Sequence, residues 1–193
     1  MPLMKLAVTC AMNQNRSMQT HDLLAKKGIP VKSFGTNPVI KLPGETMDKP
    51  NVYNFGVTYQ QIYDDLCMKN EDHYRESGIL YLLERNMGVK ERPENFFQRS
   101  EDFDLVITCE ERVFTSIFEY YADAPSCTQC FFMVNFDIRD TPSDAIAGAQ
   151  EILEFVEDVL AKEEERLEYA VDSALRRYFE RKGVMLLFTV VNL

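Results

Sequence analysis

The stretch that decides the fold lies near the start of the sequence, where residues 5–35 read KLAVTCAMNQNRSMQTHDLLAKKGIPVKSFG. Lys5–Thr9 is a short, mostly apolar run that predicts a strand ending at Cys10. A polar loop follows, residues 16–28 predict a helix with a basic last turn and a closing glycine, and residues 29–35 predict a second strand. Strand, loop, helix and strand at this spacing are typical of a parallel sheet built from βαβ units.

The remaining sequence continues this alternation of strands and helices. Residues 36–57 contain three prolines and two glycines and predict a long loop. We expect an α/β three-layer sandwich with a mainly parallel sheet of about five strands, in a single domain over residues 1–193. The further strands are predicted at Phe103–Thr108, Phe131–Phe136 and Val184–Val191, and the further helices at Thr58–Lys69, Tyr74–Asn86 and Glu110–Tyr121, with a long helical pattern from Ser143 to Gly183.

The charge balance and the ends of the sequence exclude several classes of function. The chain carries 31 Asp and Glu against 21 Lys and Arg, a net charge of −10. Direct binding of nucleic acid or of an anionic membrane surface is therefore not expected, because both need a basic footprint. The first twelve residues are too short and too interrupted for a secretory signal, and no apolar run reaches the ~18 residues of a membrane span. A cytosolic or nuclear protein is expected.

The segment from Cys10 to Ser17 carries the chemistry, with the pattern C-x5-R-S. A thiolate is a nucleophile, and a helix N-terminus with an adjacent arginine stabilises it. The five intervening residues can wrap their backbone N–H groups around a tetrahedral anion, and Arg16 can hold two phosphate oxygens. Ser17 can donate a hydrogen bond to the thiolate. The candidate phosphate-binding residues are Ala11, Met12, Asn13, Gln14, Asn15, Arg16 and Ser17.

These residues support a resemblance to known families. The segment resembles the phosphate-binding loop of the low-molecular-weight protein tyrosine phosphatases. In order, the blocks VTCAMNQNRSM, VKSFGT, KLPG, DKPNVY, GILYLLERN, RPENF, FDLVITCEERV and VNFDIRD, within residues 5–140, resemble the RNA polymerase II C-terminal-domain phosphatases of the mRNA 3′-end-processing machinery. The resemblance implies the low-molecular-weight phosphatase fold. It also implies removal of phosphate from the serine at the fifth position of the polymerase's heptad repeat, when the peptide bond to the following proline is cis. Phosphoserine at the seventh position of the repeat is a further implied substrate. The resemblance further implies a symplekin-like scaffold partner and a nuclear location, without exclusion of the cytoplasm.

The same resemblance assigns roles within the loop. Cys10 is the expected nucleophile, Arg16 the phosphate clamp and Ser17 the partner of the thiolate, and Asn13 matches the asparagine that braces the loop. Residues 11 and 12, Ala and Met, differ from the small Ser-Ser pair expected there. Because backbone amides make most of the phosphate contacts, this difference concerns the polarity of the loop more than its chemistry.

Two carboxylates after the strand at Phe131–Phe136 are candidates for the general acid. A serine alkoxide is a poor leaving group, so protonation of its oxygen matters greatly. Asp137 and Asp140 both lie beyond the carboxyl end of a predicted parallel strand, where active sites of α/β proteins form. The family match places the acid at Asp140 and leaves Asp137 as an orienting carboxylate.

The resemblance also assigns a substrate groove. Lys41, Leu42 and Pro43 match a loop near the peptide, and Leu80 and Leu82 lie on the segment that walls the proline pocket. Plain core packing is the alternative for both of these leucines.

Two other functions use the same residues differently. In arsenate reduction, which some relatives of the fold perform, Cys10 would act first and the thiols of Cys127 and Cys130 would resolve the adduct. A phosphopeptide-binding module would use the loop without turnover. The C-x-x-C pair at 127–130 lacks the second pair of ligands that a structural zinc site requires. The phosphatase interpretation implies neither a metal nor a cofactor.

Overall fold

The computed structural model describes residues 4–46, 48–122, 130–162 and 166–192. In chain order the strands are β1 (Leu6–Cys10), β2 (Lys32–Gly35), β3 (Ile40–Leu42), β4 (Asn51–Tyr53), β5 (Leu105–Thr108), β6 (Cys130–Asn135) and β7 (Leu187–Asn192). The helices are α1 (Arg16–Lys26), α2 (Tyr59–Glu76), α3 (Ile79–Val89), α4 (Glu111–Ala122), α5 (Pro142–Leu160) and α6 (Leu167–Lys182), with a 3₁₀ turn at Phe96–Gln98. None of these helices is long and apolar enough to cross a membrane.

Five of the strands form one sheet in the order β2-β1-β5-β6-β7. The first four are parallel, and β7 pairs antiparallel with β6. Because side chains alternate along a strand, β1 places Leu6, Val8 and Cys10 on one face and Ala7 on the other. Helices α1, α5 and α6 cover the first face, and α4 with the 3₁₀ turn covers the second. The predicted three-layer α/β architecture with a mainly parallel, five-stranded sheet is confirmed.

A second packed unit lies beside α1. It consists of α2, α3 and the antiparallel ribbon of β3 and β4, which share a hydrophobic cluster with Met18 of α1. The prediction of a long loop over residues 36–57 is wrong in this part. Ile40 and Leu42 are buried and Lys41 is exposed, which is the alternation of a strand, but only three residues long and bounded by prolines.

Some predicted boundaries are also wrong. Helix α2 extends to Glu76, and the break before α3 falls at Gly78 rather than before Tyr74. The extended backbone of Asn70 interrupts α2 near the predicted break without ending it. The long helical pattern after Ser143 is two helices, α5 and α6, whose apolar stripes pack against the same face of the sheet. The stripe that looks continuous in the sequence is therefore divided between two helices that contribute to one hydrophobic cluster.

Candidate active site

The loop of residues 11–15 joins β1 to α1 at the carboxyl edge of the sheet, and the carbonyl groups of Ala11 and Asn13 are held from outside the loop. The carbonyl oxygen of Ala11 accepts hydrogen bonds from the N–H groups of Thr36 (3.0 Å) and Asn37 (2.9 Å). The carbonyl oxygen of Asn13 accepts from the hydroxyl of Tyr59 at 2.6 Å. In a planar trans peptide the C=O and the next N–H point in opposite directions. The N–H groups that follow these two carbonyls are therefore directed into the loop, where an anion can accept from them.

The thiol of Cys10 lies at the base of the loop and is almost fully buried. Its sulfur is 3.0 Å from the Ser17 hydroxyl and 3.3 Å from the Asn13 N–H. The Asn13 side-chain amide donates to the Ser17 oxygen at 3.0 Å. Because that oxygen already accepts a hydrogen bond, the Ser17 proton is available to the Cys10 sulfur. The arrangement is suited to stabilise a thiolate.

Asn13 occupies the conformation that closes the loop. Its φ of 54° lies in the left-handed region, which asparagine tolerates better than most residues. Its side-chain oxygen accepts from the N–H of Glu94 at 3.0 Å. Gly35 presses against the loop from β2, and a Cβ at this position would lie 2.9 Å from the carbonyl oxygen of Ala11. The loop thus needs glycine at 35 and gains rigidity from contacts on several sides.

Arg16 opens α1 with its side chain 4% exposed. It donates to the carbonyl oxygen of Ile138 at 2.9 Å and pairs with Glu110 at 3.2 Å, while Asp140 lies 3.5 Å from its Nε. Burial opposes the charge, but the negative charges of Cys10, Asp140 and Glu110 together raise the pKa of Arg16. Within the described residues the buried Nε has no hydrogen-bond partner, so it remains available to a phosphate oxygen.

Glu110 was not among the residues predicted from the sequence. It follows β5 by two positions, and its carboxylate fixes the guanidinium of Arg16. The signal that could have found it is positional: β5 is parallel to β1, so the residues after both strands meet at the same edge of the sheet.

The structure separates the two candidate carboxylates. Asp140 accepts from the Asn15 side-chain amide at 3.0 Å and has a side chain 45% exposed, facing the loop. The next residue, Thr141, caps α5 and fixes the position of Asp140. Asp137 is exposed, and no hydrogen bond or ion pair from it occurs in the described part of the chain. Its flanking side chains point into the core, so Asp137 points outward, and the predicted orienting role of this carboxylate is not supported.

A groove of about 390 Å³ runs from the loop towards the second packed unit. Its walls are mostly apolar, with Lys41 and Asp140 as the charged members. Leu80 does not line it: this side chain has no exposed surface and packs between α2 and α3, so its predicted place in the groove is wrong. The lining residues are Met12, Gln14, Asn15, Lys41, Leu42, Pro43, Pro50, Ser77, Ile79, Leu82, Leu83, Asp140 and Pro142.

The thiol of Cys130 lies apart from this chemistry. Cys130 is the first residue of β6, whereas Cys10 is the last residue of β1, and a six-residue strand spans roughly 17 Å at its usual rise. Cys127 lies outside the described residues. Cys109 is fully buried, which raises the pKa of its thiol well above the usual value. The placement of Cys130 gives no support to a resolving thiol in arsenate reduction. Among the residues with described positions, no group of three His, Cys, Asp or Glu side chains could hold a metal ion.

Comparison with known proteins identifies the family. The family model of Ssu72-like protein matches residues 4–193. The chain belongs to the Ssu72-like family. It is 42% identical over 188 residues to SSU72, an RNA polymerase II C-terminal domain phosphatase, of Mus musculus and of Homo sapiens, over 97% of this chain and 96% of each relative. The resemblance to RNA polymerase II C-terminal-domain phosphatases is confirmed.

Solved structures of Ssu72 proteins share the whole fold. The crystal structure of Drosophila melanogaster Ssu72 with Symplekin, bound to a cis peptidomimetic phosphoserine-5 peptide of the C-terminal domain, has a TM-score of 0.92 and 34% identity, and 99% of each chain is covered. A second Drosophila melanogaster structure, of the serine phosphatase of the RNA polymerase II C-terminal domain, has a TM-score of 0.92 and 36% identity, covering 98% of this chain and 100% of the other.

Proposed function

We propose that this chain is a cysteine-dependent protein-serine phosphatase that acts on the C-terminal heptad repeats of RNA polymerase II. One observation carries the proposal: the Cys10 sulfur receives hydrogen bonds at the base of a loop whose N–H groups point inward. Beside it lies the Nε of Arg16, which has no hydrogen-bond partner among the residues that the structure describes. This is a nucleophile placed inside a phosphate cradle. Because the proposed substrate is RNA polymerase II, the protein is expected to act in the nucleus.

The geometry supports a two-step displacement. In the first step the Cys10 thiolate attacks phosphorus, the phosphorus–oxygen bond to serine breaks, and Asp140 gives a proton to the leaving oxygen. In the second step Asp140 takes a proton from a water molecule that attacks the phosphocysteine, and phosphate leaves the thiolate. Cys10, Asp140 and water account for every proton and electron pair in both steps. The inward N–H groups and Arg16 stabilise the charge that develops on the phosphoryl oxygens.

The groove supports a proline after the phosphoserine. Leu42, Pro43, Pro50 and Leu82 form apolar walls directly beside the loop residues. A compact cis X–Pro turn brings the proline ring back towards the phosphate, whereas an extended trans peptide leads away from it. The Drosophila melanogaster relative was crystallised with a cis peptidomimetic, which agrees with this selection.

Selection of the cis isomer predicts two phases of turnover. With an unstructured phosphoserine-proline heptad peptide and excess enzyme, the cis fraction of ~10–30% should be consumed rapidly. The remainder should follow at the rate of uncatalysed isomerisation, in tens to hundreds of seconds. Phosphate release measured with and without a prolyl isomerase checks this, because the isomerase should merge the phases. A single fast phase to completion without isomerase would contradict cis selection.

A scaffold partner of the symplekin type is also proposed, and β7 offers it a surface. This strand is at the edge of the sheet, and one of its two backbone edges is unpaired in the described structure. Edge strands and contiguous exposed apolar side chains are common at protein interfaces. The apolar residues on and before the strand are 44% to 77% exposed; they are Val184, Met185, Leu187, Phe188 and Val190. The relative crystallised with Symplekin makes such a scaffold the expected occupant.

Replacement of Phe188 by aspartate tests this surface. The charge should weaken binding of a recombinant symplekin-like scaffold by about tenfold or more, the usual effect of losing an aromatic contact at an interface. Hydrolysis of p-nitrophenyl phosphate should not change. The matched control is Ile146→Asp, at an apolar residue of α5 that is 58% exposed. Binding lost in the control and kept in Phe188→Asp would exclude the β7 surface.

A further inference from the structure

Arg85 of α3 reaches the outer side of the phosphate loop. Its guanidinium donates to the carbonyl oxygens of Gln14 at 2.8 Å and Asn15 at 3.3 Å, and to the side-chain oxygen of Gln19 at 2.7 Å. The neighbouring Asn86 donates to the same Gln14 oxygen at 2.9 Å and accepts from Arg85 at 3.1 Å. One planar group therefore holds two consecutive carbonyls of the loop.

This clamp holds the peptide planes that carry the next two N–H groups. Because each trans peptide is planar, a Gln14 carbonyl held by Arg85 directs the Asn15 N–H to the opposite side, into the loop. The Asn15 carbonyl accepts the first helical hydrogen bond, from the Gln19 N–H at 2.8 Å, as well as the contact from Arg85, and it directs the Arg16 N–H inward. These N–H groups belong to the N-cap residue and the first residue of α1, where the helix dipole also favours an anion. Arg85 thus acts on half of the cradle without touching the phosphate.

The charge of Arg85 is not neutralised by a direct carboxylate partner. In the described part of the chain it forms no ion pair, and the oxygens that it contacts are all carbonyl or amide oxygens. Burial lowers the pKa of Arg85, but a guanidinium stays protonated in proteins. A fixed positive charge therefore lies behind the loop in a protein whose net charge is −10.

We propose that Arg85 is a positioning residue for phosphoryl transfer: it orients the N–H groups of Asn15 and Arg16 towards the phosphoryl oxygens and adds positive potential to the loop. The inference rests on the proposed phosphatase function. Three nitrogens of the guanidinium donate at once, Nη2 to both loop carbonyls, Nη1 to Gln19 and Nε to Asn86, and the single nitrogen of a lysine ammonium cannot bridge all of these acceptors. Arg85→Lys keeps the charge and loses the bridge, so it separates the two contributions.

The test compares Arg85→Gln, Arg85→Lys and the control Arg92→Gln. Arg92 is an exposed arginine that also donates to a backbone carbonyl, that of Gly56, away from the loop. We expect Arg85→Gln to lower kcat/KM for p-nitrophenyl phosphate about 10²-fold, as misplaced catalytic groups do, mainly through kcat. Inhibition by inorganic phosphate should weaken about tenfold, the effect of losing about one hydrogen bond to a charged group. Arg85→Lys should recover only part of both losses.

Thermal unfolding of each variant separates positioning from stability. A merely structural role would lower the melting temperature and leave kcat and the phosphate inhibition constant unchanged below the transition. That result, or full recovery in Arg85→Lys, would overturn the inference. If Arg85→Gln does not fold, Arg85→Lys provides the test. We expect the folded Arg85→Lys protein to have a reduced kcat, and a wild-type kcat in this variant would contradict the inference. A wild-type protein that neither turns over nor binds phosphate would instead contradict the proposed function.

Discussion

Cys10→Ser is expected to abolish turnover of phosphoserine peptides and of p-nitrophenyl phosphate while leaving the fold intact. A hydroxyl is a far weaker nucleophile than a thiolate at neutral pH. The loss should reach about 10⁴-fold or more, as for removal of other enzyme nucleophiles. The serine oxygen can retain the hydrogen bonds that Ser17 and the Asn13 N–H make to the sulfur, so stability should change little. Initial rates and thermal unfolding of the variant check both parts.

The matched control is Cys67→Ser, at a partly buried cysteine in the second packed unit. Its rate should remain close to that of the wild type. Vanadate should inhibit the wild type, because it mimics the five-coordinate phosphorus in the loop, and chelators should have no effect. Turnover that survives in Cys10→Ser, or that requires added Mg²⁺ or Mn²⁺, would contradict the nucleophile assignment.

The second large effect is expected for Asp140→Asn and depends on the leaving group. A positioned general acid contributes ~10²–10⁴-fold, so cleavage of a phosphoserine peptide should slow by that factor. The decrease in the rate of p-nitrophenyl phosphate hydrolysis should be clearly smaller, because p-nitrophenolate leaves without a proton. The asparagine is close to the aspartate in shape and can keep the contact with Asn15. Parallel measurement of both substrates gives the leaving-group dependence directly.

Asp137→Asn is the control for this experiment. Asp137 is exposed and lacks hydrogen bonds in the described structure, so neither substrate should show a large loss. If the leaving-group-dependent loss occurs in Asp137→Asn instead, the acid must be reassigned. If neither variant shows it, the acid lies outside the segment VNFDIRD.

The sequence predicts those parts of the site that are local in the chain. Cys10, Arg16 and Ser17 lie within eight residues, and strand-loop-helix geometry brings them together wherever this segment folds. Asp137 and Asp140 are both predictable as candidates because they follow a strand that runs parallel to β1 in the same sheet, and the resemblance to the family selects Asp140. The outer contacts of the loop were not predictable in this way. Tyr59 and Arg85 resemble ordinary helix residues in sequence, and only the packing of α2 and α3 brings them to the loop carbonyls.

The groove residues illustrate the same limit on a single helix. Leu80 is fully buried and does not border the groove, whereas Ile79, Leu82 and Leu83, which are three and four residues apart on α3, line it. The apolar pattern alone does not state which face meets the core and which meets a substrate. Leu42 of the β3–β4 ribbon forms another part of the groove wall beside α3. The strands of this ribbon are only three residues long, so the periodicity of the sequence does not reveal them.

Detection of the phosphocysteine during turnover tests the role of Cys10 as nucleophile most directly. The wild-type protein is mixed with a phosphoserine-proline heptad peptide, quenched in denaturant during the first turnover, and mapped by mass spectrometry. One phosphoryl group is expected on the peptide that contains Cys10, formed as dephosphorylated substrate appears and lost as inorganic phosphate is released. Phosphate released through a complete first turnover with no phosphoryl group on Cys10, or with the group on another residue, would contradict this role of Cys10.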